Sequence, residues 1–237
     1  MTRVVATSVR GPAHIRDGVS CQDAWLAKLG TGASLAVVCD GMGSRPHARE
    51  GARAATLAAR DAWQVWRRST AGSVEDLVRL LEVCWRLRIH AIPPEQAAAT
   101  CLLYAEDGHG RAILAQLGDG ILAHRNKVGD VAVHPARTRG FGITHALGTT
   151  HTLADWSLSL IPPLQPSESV MLATDGVSED LERERLGDLM SWVVEDLGTQ
   201  RNANLLLRSE LRNWPVPHHQ DDKTLLVMWE PCSPSRE

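Results

Sequence analysis

Four acidic signatures follow one another along the chain, three of them at the ends of apolar runs. Asp23 sits in Cys21-Gln22-Asp23-Ala24. Asp40 opens Asp40-Gly41-Met42-Gly43 after the run Leu35 to Cys39. Asp175 opens Asp175-Gly176-Val177 after Ser169 to Thr174, and Asp221 opens Asp221-Asp222-Lys223-Thr224 before Leu225 to Trp229. Hard divalent cations bind several carboxylate oxygens at once. Carboxylates that are remote in sequence can supply them if rigid strand ends aim them at one place. A carboxylate at a buried strand terminus is costly unless it is paired or binds a cation. Neither Asp40 nor Asp175 has a cationic neighbour in sequence. The glycine after each lets the backbone approach an ion, so the Gly41 carbonyl is itself a candidate ligand.

Asp-Gly pairs also occur at 17–18, 107–108 and 119–120. Such a pair by itself signals a turn, because Asp tolerates turn geometry and Gly supplies positive φ. That reading is applied to Asp17 and Asp107. Asp119, in Leu117-Gly118-Asp119-Gly120, lies between two strand-like runs and stays with the metal-binding candidates.

The elements that must position these residues read as strands, helices, strands, helices, strand. Strands are expected at Arg3–Val9, Ala24–Leu29, Ser34–Cys39, Ala98–Ala105, Ala112–Leu117, Ile121–His124, Ser157–Ile161, Ser169–Thr174 and Thr224–Trp229. Helices are expected at Pro46–Arg68, with proline in the first turn, and at Ser73–Ile89, capped by Ser73. Two more are expected near Glu179–Leu197 and Arg201–Trp214. Residues 125–152 read as loop. Strict βαβ alternation is missing, so antiparallel sheets with helices outside fit better than a parallel sheet.

Composition narrows the rest. The chain has 237 residues, 43% of them hydrophobic, enough for a substantial core. No stretch is apolar for the ~20 residues a membrane helix needs, and residues 1–17 lack the apolar core of a secretory signal. A soluble, cytoplasmic protein is expected. The net charge of −3 argues against a nucleic-acid partner. The five cysteines include no CxxC pair, which argues against structural zinc. An odd count fits a reducing compartment. The eight tryptophans are expected as packing residues.

Taken in order, the motifs resemble the metal-dependent type 2C protein serine/threonine phosphatases. Gln22-Asp23-Ala24 resembles that family's opening acidic motif. Asp40-Gly41-Met42-Gly43 resembles the bacterial form of its first Asp-Gly motif. Leu117-Gly118-Asp119 resembles its Gly-Asp-Ser turn, Ala173-Thr174-Asp175-Gly176 its Ser-Asp-Gly motif, and Asp221-Asp222-Lys223-Thr224 its closing Asp-Asp/Asn-x-Thr. His14-x-Arg16…Cys21-Gln22-Asp23 resembles a divergent bacterial branch. The likeness spans residues 4 to 229.

It implies an α+β fold, a four-layer α-β-β-α sandwich of two antiparallel sheets flanked by helices. One such domain would occupy residues 1–230, with 231–237 a frayed tail. The resemblance further implies two Mg²⁺ or Mn²⁺ ions, with Asp40 bridging both and the Gly41 carbonyl on one. Asp175 and Asp221 would bind the other, and Asp23 would act mostly through water. Asp119 with Asp175 matches a third, weaker metal position. Two such ions ~3.5–4 Å apart lower the pKa of a shared water, which would attack phosphoserine or phosphothreonine on a protein. The implied partners are a phosphorylated protein and a Ser/Thr kinase whose action it reverses.

The sequence departs from the family in places. Counting back to the family's phosphate-binding arginine lands on Gly18, and Arg16, two residues further, is the candidate. Met42 follows the first Asp-Gly where some members carry histidine, leaving the general acid unassigned. His47 reads as a surface histidine, and His218 and His219 as loop residues. The flap region, 125–156, looks short and contains Thr144-His145-Ala146-Leu147-Gly148, which resembles the family's segment there. Two other functions share these residues: a decayed module that binds phosphopeptides or a partner, and a metallohydrolase of small phosphate esters. The latter lacks a GxxxxGK[ST] loop for nucleotides.

Overall fold

A computed structural model describes residues 1–30, 32–70, 72–135, 144–214 and 220–232. Ten strands form two antiparallel sheets. They are β1 (Arg3–Val9), β2 (Ala24–Gly30), β3 (Ala33–Cys39), β4 (Cys101–Glu106), β5 (Ala112–Leu117), β6 (Ile121–Arg125), β7 (Val131–Val133), β8 (Ser157–Ile161), β9 (Ser169–Ala173) and β10 (Lys223–Trp229). One sheet has the order β1-β10-β9-β6-β7 and the other β2-β3-β4-β5-β8. The helices are α1 (Pro12–Arg16), α2 (Ala48–Trp66), α3 (Val74–Arg88), α4 (Asp175–Ser178), α5 (Leu186–Ser191) and α6 (Ala203–Asn213).

Side chains alternate across a strand, and here both faces of the central strands are covered. Ala36 and Val38 of β3, Leu102 and Tyr104 of β4, Leu172 of β9, and Leu226 and Met228 of β10 share the core between the sheets. The alternate residues Leu35, Val37, Cys101 and Leu103 face α2 and α3. Met171, Ala173, Leu225 and Val227 face α5 and α6. This double burial is why these strands read as continuous apolar runs, and it makes the four expected layers.

Helix α2 lies close to its sheet because the buried positions are small: Ala52, Ala55, Ala58, Ala59 and Ala62. Gly51 allows the closest approach, since a Cβ there would stand 1.8 Å from the Ala97 carbonyl oxygen. Helix α3 begins with a capping box, in which the Asp76 amide donates to Ser73 Oγ and the Ser73 amide to Asp76 Oδ2. All eight tryptophans are buried or half-buried. Three of them fasten the helix layer by donating Nε1 to backbone carbonyls: Trp63 to Glu106, Trp66 to Ser73 and Trp85 to Gly51.

Four expectations are corrected. Pro46 lies in a turn two residues before α2, not within its first turn. Strand β4 starts at Cys101, because residues 98–100 turn aside to pair with 40–42 and with Leu147. The supposed loop 125–152 contains β7, paired to β6. The helix expected over 179–197 is instead a 3-10 turn at Arg183–Arg185, α5, a wide turn at Trp192–Asp196 and another 3-10 turn at Leu197–Thr199. Glu182 to Arg185 are all exposed, so no apolar stripe runs through that stretch. Gly187 further weakens it as helix. Residues 215–219 and 233–237 lie outside the described residues, and with them His218, His219 and most of the expected tail.

Replacing Gly51 with alanine tests the close approach of α2. Helix propensity alone favours the change by about 1 kcal/mol, but the clash is with backbone that cannot rotate away. A net loss of about 1–3 kcal/mol is expected in urea denaturation.

Candidate metal centre

Strand register brings the acidic residues to one end of the sandwich. In the β2–β3 hairpin Ala24 pairs with Cys39, so Asp23 and Asp40 stand opposite each other just past the ladder. In the other sheet Ala173 pairs with both Leu225 and Ile121. Asp175, Asp119 and the Asp221-Asp222 pair therefore leave neighbouring strands at the same edge. The backbone around Asp40 is fixed on both sides. Its amide donates to Thr100 Oγ1 (3.0 Å), its carbonyl accepts from the Thr100 amide (2.8 Å), and the Met42 amide donates to the Ala98 carbonyl (3.0 Å).

Asp23 joins the two sheets. It is 8% exposed, and its Oδ2 accepts hydrogen bonds from Thr224 Oγ1 (2.7 Å) and Thr174 Oγ1 (2.9 Å), both from the opposite sheet. Its Oδ1 is buried and has no hydrogen-bond partner. Thr144 Oγ1 donates to Asp119 Oδ2 at 2.8 Å. Asp221 is exposed, and its Oδ1 accepts from the Asp222 amide at 2.7 Å.

The carboxylates feel one another. Burial raises the pKa of Asp40 well above the usual carboxylate range, and the charges of Asp23, Asp175 and Asp221 push it further. Burial raises Asp23 to about 7, against the opposing hydrogen bond from Thr224. Asp175 is raised to about 6 by burial and then by the charges of Asp119 and Asp221. Carboxylates packed this way repel each other unless protonated or neutralised by cations.

The donor set is all oxygen, which suits Mg²⁺ or Mn²⁺. The unpartnered Asp23 Oδ1 is what a water or ion in the site would satisfy. Among the described residues only His14, Asp221 and Asp222 bring three potential ligand atoms within 4.8 Å of one another. Asp40 in turn stands within hydrogen-bonding reach of both Asp23 and Asp175.

Gly41 has a second reason to be glycine. A Cβ there would lie 2.4 Å from the Ala48 carbonyl oxygen, so the residue lets the first turn of α2 sit on the loop that carries Asp40.

A sequence profile of the protein phosphatase 2C family matches residues 10–214. The chain belongs to that family. No curated protein sequence matches it. Among solved structures it is similar to PppA, a regulatory component of the type VI secretion system in Pseudomonas aeruginosa, with 19% identity, a TM-score of 0.65 and coverage of 96% of this chain and 97% of that one. It is similar to the Mycobacterium tuberculosis serine/threonine phosphatase PstP/Ppp, with 18% identity, a TM-score of 0.63 and coverage of 98% and 99%. It is also similar to RsbX in complex with magnesium, with 14% identity, a TM-score of 0.60 and coverage of 96% and 94%. At these identities the structures establish a shared protein phosphatase 2C fold. No described helix is long and apolar enough to cross a membrane.

Arg16 stands apart from the acidic group. Its side chain is 68% exposed, and its guanidinium donates to Asp17 Oδ1 (2.8 Å) and Oδ2 (3.2 Å). His47 is also on the surface, 4.0 Å from Glu50 Oε2. Asp17 and Asp107 sit in turns. Asp17 ends α1 before Gly18, and Asp107 accepts the amides of His109 and Arg111 in the β4–β5 loop.

Several residues that organise the site were not assigned roles from sequence. Asp222 is buried; its Oδ1 accepts the Gly11 amide and its Oδ2 the Gln22 amide, each at 2.6 Å. His14 Nδ1 lies 3.0 Å from the same Oδ2. One carboxylate thereby pins both ends of the 11–22 loop that leads into Asp23. Thr174 and Thr224 have the equivalent role for Asp23 itself. Their signal was available: each stands within a quoted acidic motif, where a hydroxyl can support a carboxylate.

Two outcomes follow. Asp222→Ala leaves the Gly11 and Gln22 amides without their acceptor and should lower stability by about 2–4 kcal/mol in urea denaturation. Stability of the metal-free protein should also depend on pH. Asp23 and Asp175 hold protons in the folded state that the unfolded chain, with an ordinary value of 3.8, has already released. Their contribution is complete below that ordinary value, declines as pH rises above it, and is gone once pH has passed about 6 for Asp175 and about 7 for Asp23. Thermal unfolding should therefore show the metal-free melting temperature falling across this window. The stabilisation gained from saturating Mn²⁺ should grow over the same window.

Proposed function

We propose that the chain is a metal-dependent protein serine/threonine phosphatase that hydrolyses phosphoserine and phosphothreonine esters, with residues 1–230 as its functional unit. The observation that carries this reading is the mutual field of Asp40, Asp23, Asp175 and Asp221, drawn from both sheets and centred on Asp40. Membership of the protein phosphatase 2C family supports the same reading.

In this proposal Asp40, the Gly41 carbonyl, Asp175 and Asp221 hold two Mg²⁺ or Mn²⁺ ions, Asp23 contributes through its free Oδ1, and Asp119 with Asp175 offers a third position. When bound, the ions supply positive charge beside the phosphoryl group and make water acidic enough to attack phosphorus. The chain's own work is positional. Thr100 fixes the backbone on either side of Asp40. Thr174 and Thr224 occupy Asp23 Oδ2 and so turn Oδ1 to the site. Thr144 orients Asp119. Arg16, engaged by Asp17, would have to exchange that partner to reach a phosphate.

Release of phosphate from a phosphothreonine peptide, with and without Mn²⁺, tests the reading. Wild type should turn over only with metal. Asp40→Asn should lose at least about a thousandfold in kcat, a loss of the size seen when electrostatic groups are removed from active sites. The same variant should melt higher than wild type without metal, because one mutually repelled carboxylate is gone. Metal-independent binding of the peptide without turnover would instead mark a decayed recognition module. Turnover of small phosphate esters alone would mark a different hydrolase.

A further inference from the structure

Beside Asp23 the surface opens into a cavity of about 630 Å³ that the phosphatase reading leaves unused. Arginines from three separate elements line it: Arg10 just after β1, Arg49 and Arg53 on one face of α2, and Arg208 on α6. Arg10 makes one hydrogen bond, to the Val19 carbonyl at 3.3 Å. Among the described residues no carboxylate lies within ion-pair distance of any of the four. Elsewhere the chain readily pairs its arginines, as with Arg16–Asp17, Arg60–Asp61, Arg88–Asp61 and Arg111–Asp107. The acid that does line the cavity, Asp23, has its Oδ2 engaged by the two threonines. Half-buried Trp25 adds an apolar wall.

Like charges gathered in one concavity repel each other and raise the local affinity for anions. The guanidinium fork matches carboxylate and phosphate oxygens. The cavity is too large for one small anion and shares Asp23 with the candidate metal centre. A peptide whose phosphorylated residue sits over the aspartates would lay its flanking residues there. We propose that this cavity is a substrate subsite for anionic side chains flanking the phosphorylated residue, so that the enzyme selects acidic phosphopeptides. The proposal rests on the phosphatase reading of the neighbouring site and adds a substrate class to it.

Three phosphothreonine peptides of equal length test it, with a flank of Asp and Glu, of Asn and Gln, or of Asn and Gln with a second phosphoserine. Each is assayed with Mn²⁺ at low and high salt, using wild type and the double variant R49E/R53E. For wild type at low salt, kcat/KM should favour the acidic over the neutral flank by roughly tenfold, mostly through KM, and high salt should erase the preference. In R49E/R53E the ratio should vanish or invert. A preference for the second phosphate over the carboxylates also supports the subsite and identifies phosphate as its better ligand. Equal kcat/KM for acidic and neutral peptides, or a preference that survives R49E/R53E, overturns it. If no peptide is hydrolysed, the phosphatase reading fails by itself. The subsite is then read from fluorescence anisotropy of the unphosphorylated acidic peptide. Salt-sensitive binding lost in R49E/R53E supports it, and absence of binding overturns it.

Discussion

The two hydroxyl–carboxylate hydrogen bonds from Thr174 and Thr224 to Asp23 hold the arrangement together. With the Gln22 amide hydrogen bond to Asp222, they link directly, at the site, a sheet that contributes Asp23 and Asp40 and a sheet that contributes Asp119, Asp175 and Asp221. The core beneath is apolar and sets only distance and rough angle between the layers. Hydrogen bonds of fixed length set the relative position of the acids. A shift of one sheet against the other would separate the carboxylates before it exposed much hydrocarbon, so site and fold are tied at this point.

A second constraint is cost. Acids packed this closely are expensive to bury, and the chain distributes that cost over groups that cannot easily move away. Asp222 illustrates the method. It is buried and acidic, but it is consumed by two backbone amides and faces His14. Asp40 is held through its backbone, and its carboxyl faces those of Asp23 and Asp175. The acids nearest the candidate ions therefore keep oxygen atoms available, while the acid behind them is used as scaffold.

Much of this was legible in the sequence. The strand limits at Arg3–Val9, Ala112–Leu117 and Ser157–Ile161 coincide with those expected, because hydrophobic runs between turn residues are strong local signals. The acidic motifs could be read in order because each is a short contiguous word. The broken region after α4 was read as one helix because Leu186, Met190 and Val193 fall at helical spacing, a signal that outweighed the polar run Glu182–Arg185 before it. The roles of His14, Gln22 and Asp222 were hidden for a different reason: they join segments some two hundred residues apart, and nothing local announces the partner. The arginine cavity belongs to the same class, being assembled from one strand end and two helices.

The first and last strands, β1 and β10, are neighbours, with Arg3 opposite Trp229 at one end and Val9 opposite Lys223 at the other. The acidic cluster lies beyond the Val9 end. Met1 and Thr2 lie at the opposite end, where both bond the Glu230 carboxylate. Seven strand residues, roughly 23 Å of extended chain, separate the Met1–Glu230 contact from the chemistry. A perturbation at that contact has the full length of a strand ladder to cross before it reaches the acidic rim.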